Sequence, residues 1–180
     1  MHIPDKISKW IRAKNWTLHE HQIRMFKSSE CSSQLLIAPT GSGKTLAGFL
    51  PTIADLYLNP SQKLHTLYIS PLKALASDIK RNLETPIKEL ELKISVEDRT
   101  GDTKQSIKKK QRVIPPNILL TTPESLALLM SYPEAPSIFS SLKRIIVDEI
   151  HAITDSKRGD QLFLAISNIR KYCLDAKIIG

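Results

Sequence analysis

Residues 34–45 read Gln34-Leu35-Leu36-Ile37-Ala38-Pro39-Thr40-Gly41-Ser42-Gly43-Lys44-Thr45, and three kinds of local structure follow one another in it. The first five residues form an apolar run of a length that suits a buried strand. The next five form a turn whose two glycines accept positive φ and let a ligand approach the backbone closely. Lys44 and Thr45 then open a helical pattern that runs to about residue 57. Strand, Gly-rich loop and helix N-terminus in that order make a phosphate cradle, because successive N–H groups and the positive end of the helix dipole face the anion. Lys44 has the reach for the β- and γ-phosphates of a nucleoside triphosphate, and the Thr45 hydroxyl suits Mg²⁺. Thr40, Gly41, Ser42, Gly43, Lys44 and Thr45 are therefore the candidate nucleotide-binding residues. The usual first glycine of this loop is Ala38 here, which leaves the rest of the pattern intact.

Beyond the loop the same alternation continues. Further strand-sized apolar runs lie at Leu64–Ser70, Ile118–Thr122 and Arg144–Asp148, with a weaker one at Ile94–Glu97 and the start of another at Ala176–Ile179. Helical patterns fall near 72–90, 103–112, 123–131 and 160–173, and residues 1–30 form a further helical segment. Strands alternating with helices predict βαβ units, and near-continuous apolar strands predict a sheet covered on both faces. The expected fold is α/β, a three-layer sandwich on a mostly parallel sheet, with one domain over 1–180. Pro51 falls inside the first of these helices and is expected to kink or shorten it. The closing Lys177–Gly180 reads as a strand start cut short, as in a piece of a longer protein.

A second stretch, Ile145-Ile146-Val147-Asp148-Glu149-Ile150-His151, puts two carboxylates at the tip of an apolar strand. In a parallel α/β sheet that tip is where ligands bind. Asp148 is suited to the metal, directly or through water, and Glu149 to polarising a water that attacks the γ-phosphate. Taken alone, such a strand end is an ordinary helix cap. Paired with the cradle it completes a nucleotide site, and the place of His151 beside the carboxylates suits a relay. The candidate catalytic residues are thus Lys44, Asp148, Glu149 and His151, with Thr45 and Asp148 on the metal.

Composition sets the bounds. Of 180 residues 41% are hydrophobic, and no run approaches the length of a membrane span, so no membrane association is expected. The first residues carry no apolar signal region. Cys31 and Cys173 form no framework, which places the chain in a reducing cytoplasm. Lys and Arg number 26 against 18 Asp and Glu, a net charge of +8. The excess is uneven: residues 72–112 hold eleven Lys/Arg against seven Asp/Glu, while 113–142 hold none against two. Lys108, Lys109, Lys110 and Arg112 are the densest cluster, either a solvated helix face or a patch for phosphates.

The two motifs together, DEIH after AxxGxGKT, resemble the superfamily 2 helicases of the DExH type. The segments between them are similar to the Lhr (large helicase-related) group: Ser70-Pro-Leu-Lys-Ala-Leu-Ala-Ser-Asp78, Arg99-Thr-Gly-Asp-Thr103, Thr121-Thr-Pro-Glu-Ser-Leu126 and Ser156-Lys-Arg-Gly159. The short N-terminus, with Trp16-Thr-Leu-His-Glu-His-Gln22, looks most like the DNA ligase-associated branch of that group. The resemblance covers Trp16 to Gly180. It implies a RecA-like P-loop NTPase domain, the first of two, ending before the family's motif III and lacking the second domain with its arginine fingers. It implies ATP and Mg²⁺ as cofactors and the ATP-binding domain of an ATP-dependent DNA helicase or translocase in DNA repair, weakly active by itself. An RNA helicase of the same superfamily is the nearest alternative, followed by a P-loop kinase or a nucleic-acid-binding module with little ATPase activity.

The same resemblance assigns roles by position. Gln22 would read the adenine edge, although the Pro that usually precedes it is absent among His19, Glu20 and His21. Pro71 and Lys73, then Arg99, Thr100 and Gly101, then Thr122, Glu124 and Ser125, would hold the backbone of single-stranded or tailed duplex DNA, or of RNA. A DNA ligase or nuclease would be a possible partner.

Overall fold

The computed structural model describes residues 3–29, 33–39 and 41–180. Five parallel strands form one sheet: β1 (Thr66–Ile69), β2 (Val96–Arg99), β3 (Ile118–Thr121), β4 (Arg144–Val147) and β5 (Lys177–Ile179). Their spatial order is β2-β3-β1-β4-β5, every pair parallel. Among the described residues eight α-helices connect and cover them: α1 (Asp5–Ala13), α2 (Glu20–Ser28), α3 (Lys44–Leu58), α4 (Lys73–Glu89), α5 (Gln105–Val113), α6 (Pro123–Met130), α7 (Ala135–Phe139) and α8 (Lys157–Ile169). None of the described helices is long and apolar enough to cross a membrane.

Period-two alternation splits the strand side chains between two cores. Tyr68, Ile118, Leu120, Ile146 and Ile179 face a cluster supplied by α1, α2, α3 and α4. Leu67, Ile69, Leu119, Ile145 and Val147 face a second cluster supplied by α6, α7 and α8. The central strands are buried on both faces, which is why they read as unbroken apolar runs. The chain is thus the three-layer α/β sandwich its alternation predicts.

Three expectations change. Gln34–Ala38 is no regular strand. Gln34 bridges Ile179 and Leu36 donates to the Gly180 carbonyl, so the segment lies along β5, but Leu35 is 64% exposed and Ile37 87%. Its backbone bonds run to Ile178 and Gly180, and the one bridge they make, Gln34 to Ile179, is too short a ladder to count as a strand. Pro51 does not end its helix: α3 runs unbroken from Lys44 to Leu58 with Pro51 buried at mid-length. Pro51 is buried on a helix that also buries Phe49, Leu50, Ile53 and Ala54, and that burial offsets the missing hydrogen bond. The weak strand near 94–97 is shifted to Val96–Arg99, a polar edge strand.

Candidate functional site

Register alone gathers the site. Ile69 stands level with both Thr121 and Val147, and Thr121 with Arg99. The residues that follow, Ser70, Thr122, Asp148 and Thr100, therefore emerge together along one sheet edge. Gln34, level with Ile179, aligns the loop after Ala38 with the same edge, with β5 between it and β4.

The loop has the backbone its glycines allow, with φ 80° at Gly41 and 78° at Gly43. Thr40 lies outside the described residues. Lys44 begins α3 and arcs back to donate to the Ala38 carbonyl at 2.8 Å. The Ser42 hydroxyl is buried with no hydrogen-bond partner among the described residues. Gln22 is buried and braces the loop from α2: its Oε1 accepts the His19 N–H at 2.8 Å and its Nε2 donates to the Gly43 carbonyl at 3.1 Å. A Cβ on Gly43 would stand 2.5 Å from that Nε2. Much of the Gln22 amide is thus held between the helix start and the loop, so it offers a base only what those two bonds leave free.

Across the edge, the Asp148 amide continues the ladder by donating to Ile69 O at 2.9 Å. The strand then breaks sharply. Glu149 takes φ 48°, a left-handed conformation that costs a non-glycine residue about 1–2 kcal/mol, and a 3₁₀ turn follows over Ile150–Ala152. Asp148 Oδ1 accepts the Glu149 N–H at 3.0 Å. Its Oδ2 accepts the phenol of Tyr68, a residue that sequence reasoning missed. Burial pushes the Tyr68 phenol up, and its bond to Asp148 adds to the effect. His151, 78% exposed at its side chain, has Nε2 3.4 Å from Glu149 Oε2.

Two hollows meet here. One of about 470 Å³ is lined by Lys44, Thr45, Tyr68, Asp148, Glu149 and His151. A larger one of about 1080 Å³ extends from Gly41, Gly43 and Gln22 past Trp16 to the side of α4. The residues fit a magnesium-bound nucleoside triphosphate. The positive-φ glycines expose backbone amides at the start of α3, the Ser42 hydroxyl lacks a partner, and a carboxylate faces the cation-bearing loop.

The expected strand-binding residues divide. Pro71 and Glu124 are joined by Arg158, whose Nη2 donates to Pro71 O at 2.9 Å and whose Nε bonds Glu124. Arg158 was legible only as part of the Ser156–Gly159 signature. Lys73 pairs with Asp102 at 2.9 Å beside Gly101. Thr122 is buried and caps α6 through Ser125. Thr100 is buried as well, its amide held by Thr103 Oγ1 at 2.9 Å. Arg99 is a correction. It was expected to offer its charge to a strand, but it is 1% exposed. Its guanidinium donates inward to Lys108 O at 2.9 Å and Gln111 Oε1 at 3.3 Å, with the Tyr132 ring 6.0 Å away. The last position of the short edge strand turns its side chain under α5.

The comparisons agree with this geometry. The DEAD/DEAH box helicase family matches residues 19–179. The chain is 36% identical, over 99% of its length, to the ATP-dependent helicase Lhr-Core protein 2 of Thermococcus barophilus, and 40% identical, over 92%, to Lhr-Core of Methanocaldococcus jannaschii. It spans 22% and 21% of those proteins. Among solved structures it superposes on the Mycobacterium smegmatis helicase Lhr bound to single-stranded DNA and AMP-PNP, with a TM-score of 0.91 and 35% identity over 99% of this chain and 24% of that one. The DNA- and AMPPNP-bound helicase MrfA gives a TM-score of 0.86 at 29% identity, over 98% of this chain and 26% of that one. With that family matching residues 19–179 and relatives at 36% and 40% identity, the fold is RecA-like and the chain belongs to the DEAD/DEAH box helicase family.

Proposed function

We propose that this chain binds Mg²⁺·ATP at the Gly41–Thr45 loop and Asp148, and serves as the first of two RecA-like domains in a DNA helicase or translocase of the Lhr type. The observation that carries the reading is the shared sheet edge, which sets Lys44 and Thr45 across one hollow from Asp148 and Glu149. The bound nucleotide and metal supply the phosphoryl group and its charge neutralisation. The loop amides and Lys44 hold the phosphates, and Lys44 exchanges its bond to Ala38 O for them. Thr45 and Asp148 hold the metal. Glu149 orients water and takes its proton, and His151 passes that proton outward. Gln22, fixed against Gly43, meets the base with its remaining donor.

Lys73, Gly101, Glu124 and Ser125, with the newly found Arg158, border the path of a nucleic-acid backbone; Pro71, Thr100 and Thr122 shape that border from behind. DNA is favoured over RNA because the helicases Lhr and MrfA, 35% and 29% identical to the chain, carry DNA. Opening and closing against a second domain turns hydrolysis into movement. Repair of DNA in the cytoplasm, with a ligase or nuclease as partner, is the setting that the likeness of Trp16–Gln22 to the DNA ligase-associated branch favours. The test is Glu149→Gln in the longer protein. ATP binding should persist, while hydrolysis falls by about 10²–10⁴-fold, the weight of a general base. Hydrolysis at the wild-type rate would refute the assignment.

A further inference from the structure

We infer that Tyr68 is a positioning residue for the metal-binding carboxylate, and that it ties that carboxylate to the strand leading into the nucleic-acid edge. The inference rests on the proposed role of Asp148. The Tyr68 ring lies on the face of β1 turned toward α3, 2% exposed, with the Phe49 ring 5.5 Å away. Its hydroxyl donates to Asp148 Oδ2, while Oδ1 accepts the Glu149 N–H. Each carboxylate oxygen thus has one donor supplied by the protein, and together the two donors fix the plane of the group. Without the phenol the carboxylate keeps only the bond to its own neighbour and can rotate. The phenol itself cannot drift, because β1 is paired on both sides and the ring is packed against the helix that Lys44 and Thr45 begin. One residue after Tyr68, β1 ends at Ile69 and the chain enters Ser70-Pro71-Leu72-Lys73. A displacement of that turn by a bound strand therefore reaches the Asp148 carboxylate through the Tyr68 side chain, in addition to the backbone bond from Asp148 N–H to Ile69 O. A tyrosine kept only for packing would need no hydroxyl, since phenylalanine fills the same space.

The experiment is calorimetric titration of the chain with AMP-PNP, once with Mg²⁺ and once with EDTA, for wild type, Tyr68→Phe, Asp148→Asn and the double variant. Tyr68→Phe keeps the ring against Phe49, and its melting curve is recorded alongside. Its affinity in EDTA should match wild type, while the gain in affinity brought by Mg²⁺ falls about tenfold, the weight of one hydrogen bond to a charged group. In the Asp148→Asn background the same substitution should change nothing further, because the two side chains act as one unit. Equal losses with and without Mg²⁺, or full additivity in the double variant, would show that Tyr68 only packs and would overturn the inference. A wild type whose affinity gains nothing from Mg²⁺ would overturn the reading of Asp148 as well, which separates the two failures.

Discussion

At the scale of single residues, this site is decided by which polar side chains face out and which are consumed inside. Lys73 and Arg158 reach the edge, each beside a carboxylate. Arg99 does not. Its guanidinium closes the space between β2 and α5, and burial pulls its pKa down, with the nearby Arg112 adding to the effect. Arg99→Ala should accordingly cost about 1–3 kcal/mol of stability, from the Gln111 Oε1 and Lys108 carbonyl left without their donor and from the cavity left behind. Urea unfolding measures this, and an unchanged midpoint would return Arg99 to the surface. The sequence could not show which way Arg99 points. In Val96-Glu97-Asp98-Arg99 every residue but the first is charged, so apolar alternation carries no signal. Tyr68 was hidden for the opposite reason: inside an apolar strand it reads as core.

Among elements, legibility follows burial. β1, β3 and β4 are four-residue runs buried throughout, and each stands inside the apolar run read from the sequence. The cradle and the Asp148 tip were equally plain, because both sit where an apolar run meets polar residues. The run at 34–38 misled because its apolar side chains lie beside β5 with two of them open. Helix α7 was not read: Pro133 precedes it and Pro136 is its second residue, and its five residues hold together by burying Ala135, Ile138 and Phe139. The N-terminal end of β1 hides a further group, His65. Burial there, with Arg144 and Lys143 nearby, lowers its pKa to about 3. Asp55 stands 3.6 Å from its ring but is already engaged by Arg144. The unfolded chain binds a proton near pH 6.5 and the folded one does not. Stability from this group is therefore complete above about pH 6.5 and is lost as pH falls toward 3, at about 1.4 kcal/mol per unit. Thermal melting against pH checks this: His65→Gln should flatten the slope between pH 4 and 6, on the order of one proton's worth, and an unchanged slope would contradict it.

At the scale of the molecule, the residues proposed for nucleotide and for nucleic acid share one edge of one sheet, and charge on the neighbouring face extends it. Lys108 reaches that edge, its Nζ donating to Gly101 O at 3.1 Å, while Lys109 and Lys110 stand on exposed turns of α5. Contacts of this kind meet phosphates and carry little sequence information. With about three phosphates neutralised, log K for a fluorescent single strand should fall against log[salt] with a slope of roughly −2. The Lys108/Lys109/Lys110 triple alanine should flatten that slope for all sequences alike. A salt-independent affinity would remove the phosphate track from the account.

The central claim is that the Gly41–Thr45 loop holds the phosphates of ATP, and Lys44 is the side chain it depends on most. Calorimetric titration of the chain with ATP and Mg²⁺, wild type against Lys44→Ala, tests it most directly. The substitution removes the cation that arcs over the loop while leaving the buried body of α3 in place. The account predicts saturable binding by the wild type and a loss of at least about tenfold in the variant, as expected for a charged contact to phosphate. Equal affinity of the two proteins would contradict it.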